Sequence, residues 1–445
     1  MKVQVYHKKN KNIVFDNLKW LLSENVFGMI IAMVASAVTA RYLGTEKNGI
    51  INYCLTLVGL WSCTADLGIT SIMQKEFSLN HVKRETLLGT GIFLCIVGGV
   101  FTTIGSIITV VVLGETIEII LCTVIISTSY ILKCTYIFKF YFLGTLQSEK
   151  FVKSNLIVQM CVTIIKIIFV LAGCNIYFFA TVYVIEALLQ GVFYAIQYLK
   201  VRENRKKWDI SFGIMKKILK QSMPNIIASA AVVIYMKSDQ LMIGRMLDAS
   251  ALGVYAVAVQ LAEVGNFVAV AMANTYLPVI VNKSKEKWNE FINYYTFYIE
   301  KMLLLALGII VVINCCGPIA IYFLYGKEYI AAIPVMQVYS LCVFFVFIGM
   351  AEGAYVNIMQ LQKQSMITTC IAAVVNIVLN FILIPRLGGM GAAVASVIAY
   401  SIQAVWTWFL WPDLSEFRKC IFNSFLFKNI RQIFKKKFLN KGSDL

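Results

Sequence analysis

Residues Ala40–Gly49 read ARYLGTEKNG, and residues Gly244–Gly253 read GRMLDASALG. A shift of 204 positions, without a gap, sets Arg41 on Arg245, Leu43 on Leu247 and Gly49 on Gly253. Three matches in ten residues are few, so the meaning of the repeat depends on what flanks each copy. Both copies follow an apolar stretch about long enough to cross a bilayer, and in each case that stretch is the first of six.

The chain has 445 residues, of which 59% are apolar and 14% charged. No water-soluble core needs that ratio. Apolar runs near 20 residues recur from end to end, about the length that crosses ~30 Å of hydrocarbon. In lipid every backbone N–H and C=O must be paired within the segment or with a closed set of strands. The runs are too long and too uniformly apolar for barrel strands, which alternate two faces. The sequence therefore predicts an all-α polytopic membrane protein of about 12 transmembrane helices. The spans are expected at 18–40, 49–72, 87–113, 116–141, 152–173, 176–199, 219–243, 252–280, 291–315, 331–357, 365–385 and 388–411. The N-terminus is basic but lacks a small-residue cleavage site after a short apolar core, so the first run reads as a retained span. The 12 Cys sit mostly inside apolar runs, and neither they nor the two His show metal-ligand spacing. Cysteines so placed are small, polarisable packing residues. No Walker phosphate loop, no Ser/His/Asp set and no catalytic carboxylate pair is present. The chain is expected not to be an enzyme, with no catalytic residues, no metal and no cofactor.

Basic residues set the orientation. One set of loops and tails holds 29 Lys and Arg; the alternate set holds 5, namely Arg41, Lys47, Arg245, Lys327 and Arg386. Both termini are thus expected on the cytoplasmic side, and the net charge of +17 is mostly this topological signal rather than a nucleic-acid footprint. The longest polar connection divides the spans six and six. The expected organisation is a cytoplasmic N-terminus (1–17), an N-terminal six-helix lobe (18–199), a cytoplasmic linker (200–218), a C-terminal six-helix lobe (219–411) and a basic amphipathic tail (412–445). Six is even, so both lobes run the same way through the membrane and are related by a pseudo-two-fold axis along its normal. In the tail, Phe417, Ile421, Phe422, Phe425, Leu426, Ile430, Phe434 and Phe438 recur near helical spacing among Lys and Arg. That pattern suits a helix lying on an anionic leaflet.

An ionisable group at the bilayer centre costs at least ~2.5 kcal/mol, so it faces a cavity or a partner. Lys133, Lys166 and Lys237 lie deep in spans. With the outer-corner residues Arg41 and Arg245 they form a candidate cationic, substrate-binding set. Glu24, Asp66, Glu186, Asp239 and Glu263 form a candidate ion-coupling or charge-balancing set. Lys139 lies near the cytoplasmic end of its span and is read as snorkelling to water. Asn376 and Asn380, four apart, share one helix face.

Three motifs then carry a family resemblance. ARYLGTEKNGIINYCLTLVGLWSCTADLGI (Ala40–Ile69) resembles the first-loop and second-span signature of bacterial polysaccharide transport proteins. These are the O-antigen and capsule repeat-unit flippases of the multidrug/oligosaccharidyl-lipid/polysaccharide exporter (MOP) superfamily. SDQLMIGRMLDASALGVYAVAVQLAE (Ser238–Glu263) resembles the matching signature of the second half, and VVNIVLNFILIPRLGGMGAAVAS (Val374–Ser396) the family's Asn-x3-Asn, Ile-Pro and Gly-x2-Gly-Ala-Ala pattern. Only Arg41, Asp239 and Arg245 fall on signature positions; the lysines follow from charge and depth. The resemblance implies two six-helix lobes forming a V around a central cavity. It implies a substrate that is a lipid-linked oligosaccharide on undecaprenyl pyrophosphate, with coupling to H+ or Na+. Membrane lipids, a polysaccharide polymerase and a chain-length regulator are the implied partners. The implied location is the bacterial cytoplasmic membrane. The rivals are a multidrug or cation antiporter of the same fold, a membrane-embedded polymerase or transferase, and a scramblase or scaffold.

Overall fold

In a computed structural model, residues 2–65, 67–79, 83–202, 208–284 and 288–426 are described. Among them the chain is helical with no strand. Ten helices are long and apolar enough to cross a membrane. The twelve expected spans map onto them with two differences. The helix Lys2–Ala65 holds two expected spans, separated only at Gly44, whose φ of 72° and ψ of 178° interrupt the helix. Positive φ is a conformation that glycine adopts without a Cβ penalty. The expected span 219–243 lies in the helix Phe212–Met246, which is not among the ten. That helix carries Lys216, Lys217, Lys220, Lys237, Asp239 and Arg245, which dilute its apolar character.

The chain divides into two compact units, Met1–Gly253 and Val254–Leu445. Large side chains on many spans point outward: Val112 is 78% exposed and Leu171 82%. Such positions are costly in water and are satisfied by acyl chains.

Two expected spans of the first unit are not continuous. The helix begun before Gly49 stops at Ala65, turns through Leu67 (φ 47°) and Gly68 (φ 60°), and resumes as Thr70–Leu79. The span expected at 116–141 is the helix Ile117–Leu132, a tight 3-10 turn Lys133–Tyr136, and the helix Ile137–Gly144. Period-3.6 hydropathy cannot show such breaks, because apolar residues continue across them. The helix Arg84–Val112 lies against both breaks through adjacent glycines. A Cβ on Gly98 would meet the carbonyl oxygens of Thr64 and Ala65, and one on Gly99 would sit 2.6 Å from the carbonyl oxygen of Tyr130. Glycine is what permits backbones to come this close.

In the second unit, Tyr295 donates from its hydroxyl to the Ala351 carbonyl and its ring packs with Tyr298, Tyr355 and Phe417. Asn380 Nδ2 donates to Asn376 Oδ1 at 2.9 Å, so the two share a face as the spacing predicts. The described part of the tail is the 3-10 turn Pro412–Leu414 and the helix Ser415–Ser424, whose Phe417, Cys420, Ile421 and Ser424 are buried in protein. Phe417 sits 5.6 Å from the Tyr355 ring, and Ser424 donates to the Thr296 carbonyl at 3.2 Å. An aromatic seat with a hydrogen-bond partner is drier and more specific than a headgroup layer. Phe422, Phe425 and Leu426 stay exposed. Ile430, Phe434 and Phe438 lie outside the described residues.

Candidate functional site

The two helix breaks of the first unit border one cavity of about 480 Å³. Ser62, Ala65 and Thr70 line it from the first break; Tyr130, Lys133, Tyr136 and Lys139 line it from the second. Irregular backbone at membrane depth is tolerated where it lines a polar cavity. The 3-10 turn also decides which lysines face that cavity. Six residues of uninterrupted α-helix would set Lys133 and Lys139 about 120° apart; with the tighter turn between them the offset falls to roughly 40–60°. Lys139, read from sequence as a snorkelling residue, therefore joins Lys133 on the cavity wall. Lys133 Nζ lies 3.7 Å above the Tyr130 ring, and Lys139 Nζ 5.1 Å from the Phe151 ring centre. A cation–π contact contributes about 0.5–2 kcal/mol. That is less than the cost of a buried ammonium, so these charges call for an anionic partner as well.

A second polar cluster lies beside the cavity and joins four helical segments. Asn155 Nδ2 donates to Glu24 Oε1 at 2.8 Å. Gln190 Nε2 donates to Asn155 Oδ1 at 3.0 Å and to Glu186 Oε1 at 3.2 Å. The Tyr136 hydroxyl, on the cavity wall, donates to Gln190 Oε1. Two carboxyl groups are thus linked through carboxamides whose N–H groups donate to their oxygens. Asn155 is 8% exposed and Gln190 5%. Glu186 acts electrostatically on Lys133 and on Lys166, and Lys166 Nζ lies 5.7 Å from the Tyr183 ring centre. One turn beyond Asn155, Gln159 presents a buried Oε1 without a hydrogen-bond partner against Gly28, one turn beyond Glu24. The cluster has an unsatisfied acceptor on one side and deep ammonium groups on the other.

The structure thus gathers Glu24, Lys133, Lys166 and Glu186 of the predicted residues. Lys237, Asp239, Arg245 and Glu263 contact other residues. Lys237 Nζ reaches Gln240 Oε1 at 3.4 Å, and Asp239 Oδ1 accepts from the Gln240 backbone N–H at 2.7 Å. Arg41 is exposed. Arg245 pairs with Glu115 at 3.0 Å and donates to the Leu113 carbonyl at 2.8 Å, so its guanidinium is engaged by the chain itself. Glu263, in the second unit, accepts from the Tyr339 hydroxyl at 3.1 Å. Asp66 lies outside the described residues. A smaller cavity of about 220 Å³ in the second unit is bordered by Glu352, Ser365, Tyr400 and Gln403. Sequence reasoning missed Lys139, Asn155, Gln159 and Gln190. The amides carried a signal in Glu24-x3-Gly28, Asn155-x3-Gln159 and Glu186-x3-Gln190, each one helical turn; a search for charge alone passes over it.

Ten helices long and apolar enough to span, with lysines on the wall of a cavity among them, describe a multi-pass membrane protein. Residues 14–283 match the polysaccharide biosynthesis protein family, and the chain belongs to that family. Residues 224–382 match the MatE family. A search of the curated proteins finds no match. Among solved structures, the lipid II flippase MurJ in an inward closed conformation aligns with a TM-score of 0.72 at 17% identity, over 91% of each chain. A multidrug resistance MATE family transporter of the MOP superfamily, inward-facing, aligns with a TM-score of 0.70 at 16% identity, over 87% of this chain and 94% of that one. A MOP superfamily transporter from Pyrococcus furiosus aligns with a TM-score of 0.58 at 15% identity, over 88% of this chain and 97% of that one. At these identities the likeness is one of fold, and the fold is that of the MOP superfamily.

Proposed function

We propose that the chain is a flippase that carries an undecaprenyl-pyrophosphate-linked oligosaccharide from the inner to the outer leaflet of a bacterial cytoplasmic membrane. It works by alternating access and draws on an H+ or Na+ gradient. Membership of the polysaccharide biosynthesis family supports the sugar-linked substrate. The single observation that carries the reading is the pair Lys133 and Lys139 on one cavity wall within apolar helices. Sugars and a pyrophosphate cannot enter hydrocarbon unaided, because desolvating their polar groups costs several kcal/mol each. Two ammonium groups that lack full compensation offer the diphosphate a place in which charge stays paired. The Glu24–Asn155–Gln190–Glu186 chain then supplies carboxylates that can exchange a proton or hold a small cation while the lysines bind or release the anion. A polymerase and a chain-length regulator are natural partners, since they use what the flippase delivers.

The test uses Lys133→Ala and Lys139→Ala in cells that depend on this chain for surface polysaccharide. Both variants are expected at wild-type level in the membrane, with little surface polymer and with lipid-linked repeat unit accumulating on the inner leaflet. Normal export by both would overturn the reading. A multidrug or cation antiporter is the second reading, favoured by the MatE match over 224–382. It predicts that expression lowers the uptake of a cationic dye and that the two lysine variants keep this effect.

A further inference from the structure

The helix Ser415–Ser424 has two unlike faces. Phe417, Cys420, Ile421 and Ser424 form the dry one, seated on Tyr295, Thr296 and Tyr355. Lys419 and Phe422, three apart, stand on the opposite side, and Leu426 follows in the turn beyond. Phe422 is 56% exposed and Leu426 49%. Water is a poor solvent for such side chains, and hydrocarbon is a poor one for the ammonium of Lys419. The layer between them suits both: apolar side chains enter the acyl boundary while cations stay with the phosphates.

The end of the preceding span marks the same level. Trp406 and Phe409 are exposed there, and the Trp411 indole N–H donates to the Thr368 hydroxyl at 3.3 Å. Aromatic residues collect where a span leaves hydrocarbon. The Arg418 guanidinium lies 5.4 Å from the Phe409 ring centre, beside this belt. Lys419 Nζ pairs with Glu416 at 2.6 Å, but the side chains are 67% and 36% exposed. An ion pair so open to solvent holds its ammonium weakly, so Lys419 can turn to a phosphate. The sequence from 427 to 445 adds six Lys and Arg against one Asp. Acidic phospholipid is the complement to this charge. An acidic protein would match the cations but not the apolar side chains set among them.

We propose that Ser415–Ser424 and the turn after it form a site for acidic phospholipid of the surrounding membrane. Arg418 and Lys419 take the headgroup phosphate, and Phe422 and Leu426 enter the acyl boundary. Both faces belong to one short helix, so a lipid held on the outer face also fastens the dry face against the helices Trp288–Ala320 and Leu341–Met359. The lipid is bound as a membrane component and not as cargo, so the site stands whether or not the chain is a flippase.

The test places the photo-cross-linker p-benzoylphenylalanine at Phe422 in the full chain, reconstituted in vesicles of phosphatidylcholine and phosphatidylglycerol in equal parts. After illumination, mass spectrometry is expected to find adducts of phosphatidylglycerol at least threefold above those of phosphatidylcholine. Arg418→Gln together with Lys419→Gln is expected to bring the two adducts level. Equal adducts with both cations present, or a preference that the double variant keeps, overturns the site. So does illumination of native membranes that gives a protein adduct in place of a lipid one. A second measurement follows the seat. Hydrogen exchange of the Ser415–Ser424 amides is expected to be slower in phosphatidylglycerol vesicles than in phosphatidylcholine vesicles, and the double variant is expected to lose the difference. Equal exchange in the two lipids, or a difference that survives in the double variant, overturns the fastening.

Discussion

Glu24 lies in the amide-linked cluster and Lys139 on the cavity wall beside it, and their substitutions separate the two parts. Glu24→Gln keeps an acceptor for Asn155 Nδ2 and removes a charge. The variant is expected to reach the membrane at wild-type level while its transport no longer responds to the ion gradient; an unchanged response in vesicles with imposed gradients would remove Glu24 from the coupling. Lys139→Arg retains a cation on the cavity wall and is expected to keep transport within a few fold of wild type, where Lys139→Ala loses at least tenfold. Cys420, outside the spans, makes a separate prediction. Burial pushes its thiol up to about 11. The thiolate is the reactive form, so at pH 8 only about a thousandth is present, and reactivity rises with pH toward that value. Alkylation of Cys420 monitored by peptide mass spectrometry is expected to be slow at pH 8 and to rise about tenfold per pH unit toward 11; a rate independent of pH would show that the thiol is not held protonated by burial. At this scale the sequence marked Glu24, Lys133, Lys166 and Glu186 by their positions in apolar runs, and read Lys139 as a snorkelling residue. It did not expose the uncharged amides, which become a site only where three separate helices bring Glu24, Asn155 and Gln190 together.

At the scale of elements, the cavity depends on helices that stop where hydropathy says they continue. Gly99 is the point at which the helix Arg84–Val112 meets the end of Ile117–Leu132. Gly99→Ala puts a methyl group against backbone that cannot turn aside, a clash expected to cost about 1–3 kcal/mol. It should lower the midpoint of thermal unfolding in detergent and weaken transport; an unchanged midpoint would mean that the packing there is looser than described. The tail helix offers a second measurement. Phe417 is fully buried between Tyr295 and Tyr355. Phe417→Ala, a loss of about 3–5 kcal/mol in a well-packed setting, is expected to release Ser415–Ser424 and speed tryptic cleavage after Arg418 and Lys419. The 3.6-residue period showed that this segment is an amphipathic helix. It could not show which surface takes the apolar face, because protein and lipid accept the same residues.

At the scale of the whole molecule, the excess of Lys and Arg on one set of loops predicts that both termini face the cytoplasm. A reporter active only in the cytoplasm, fused after Leu445, is expected to work, and one active only outside is expected to be silent. The reverse result would invert the topology. The placement of Arg245 belongs here too. As a lone intramembrane-edge charge it reads as a ligand for substrate; in the fold it closes an ion pair with Glu115, 130 positions away in sequence.

By itself the sequence determined the solvent. Length and hydropathy of the runs require helices that satisfy their own backbones in lipid, the even spacing of the runs allows two like-oriented halves, and the repeated loop marks where those halves correspond. Only the tertiary structure decided where the helices break and how the broken ends turn their side chains. A 3-10 turn of four residues is invisible to a pattern of apolar residues, yet it sets Lys139 beside Lys133. Gly49 and Gly253, 204 positions apart, gain their meaning only in the fold, where a Cβ on either would strike the backbone of the other's loop.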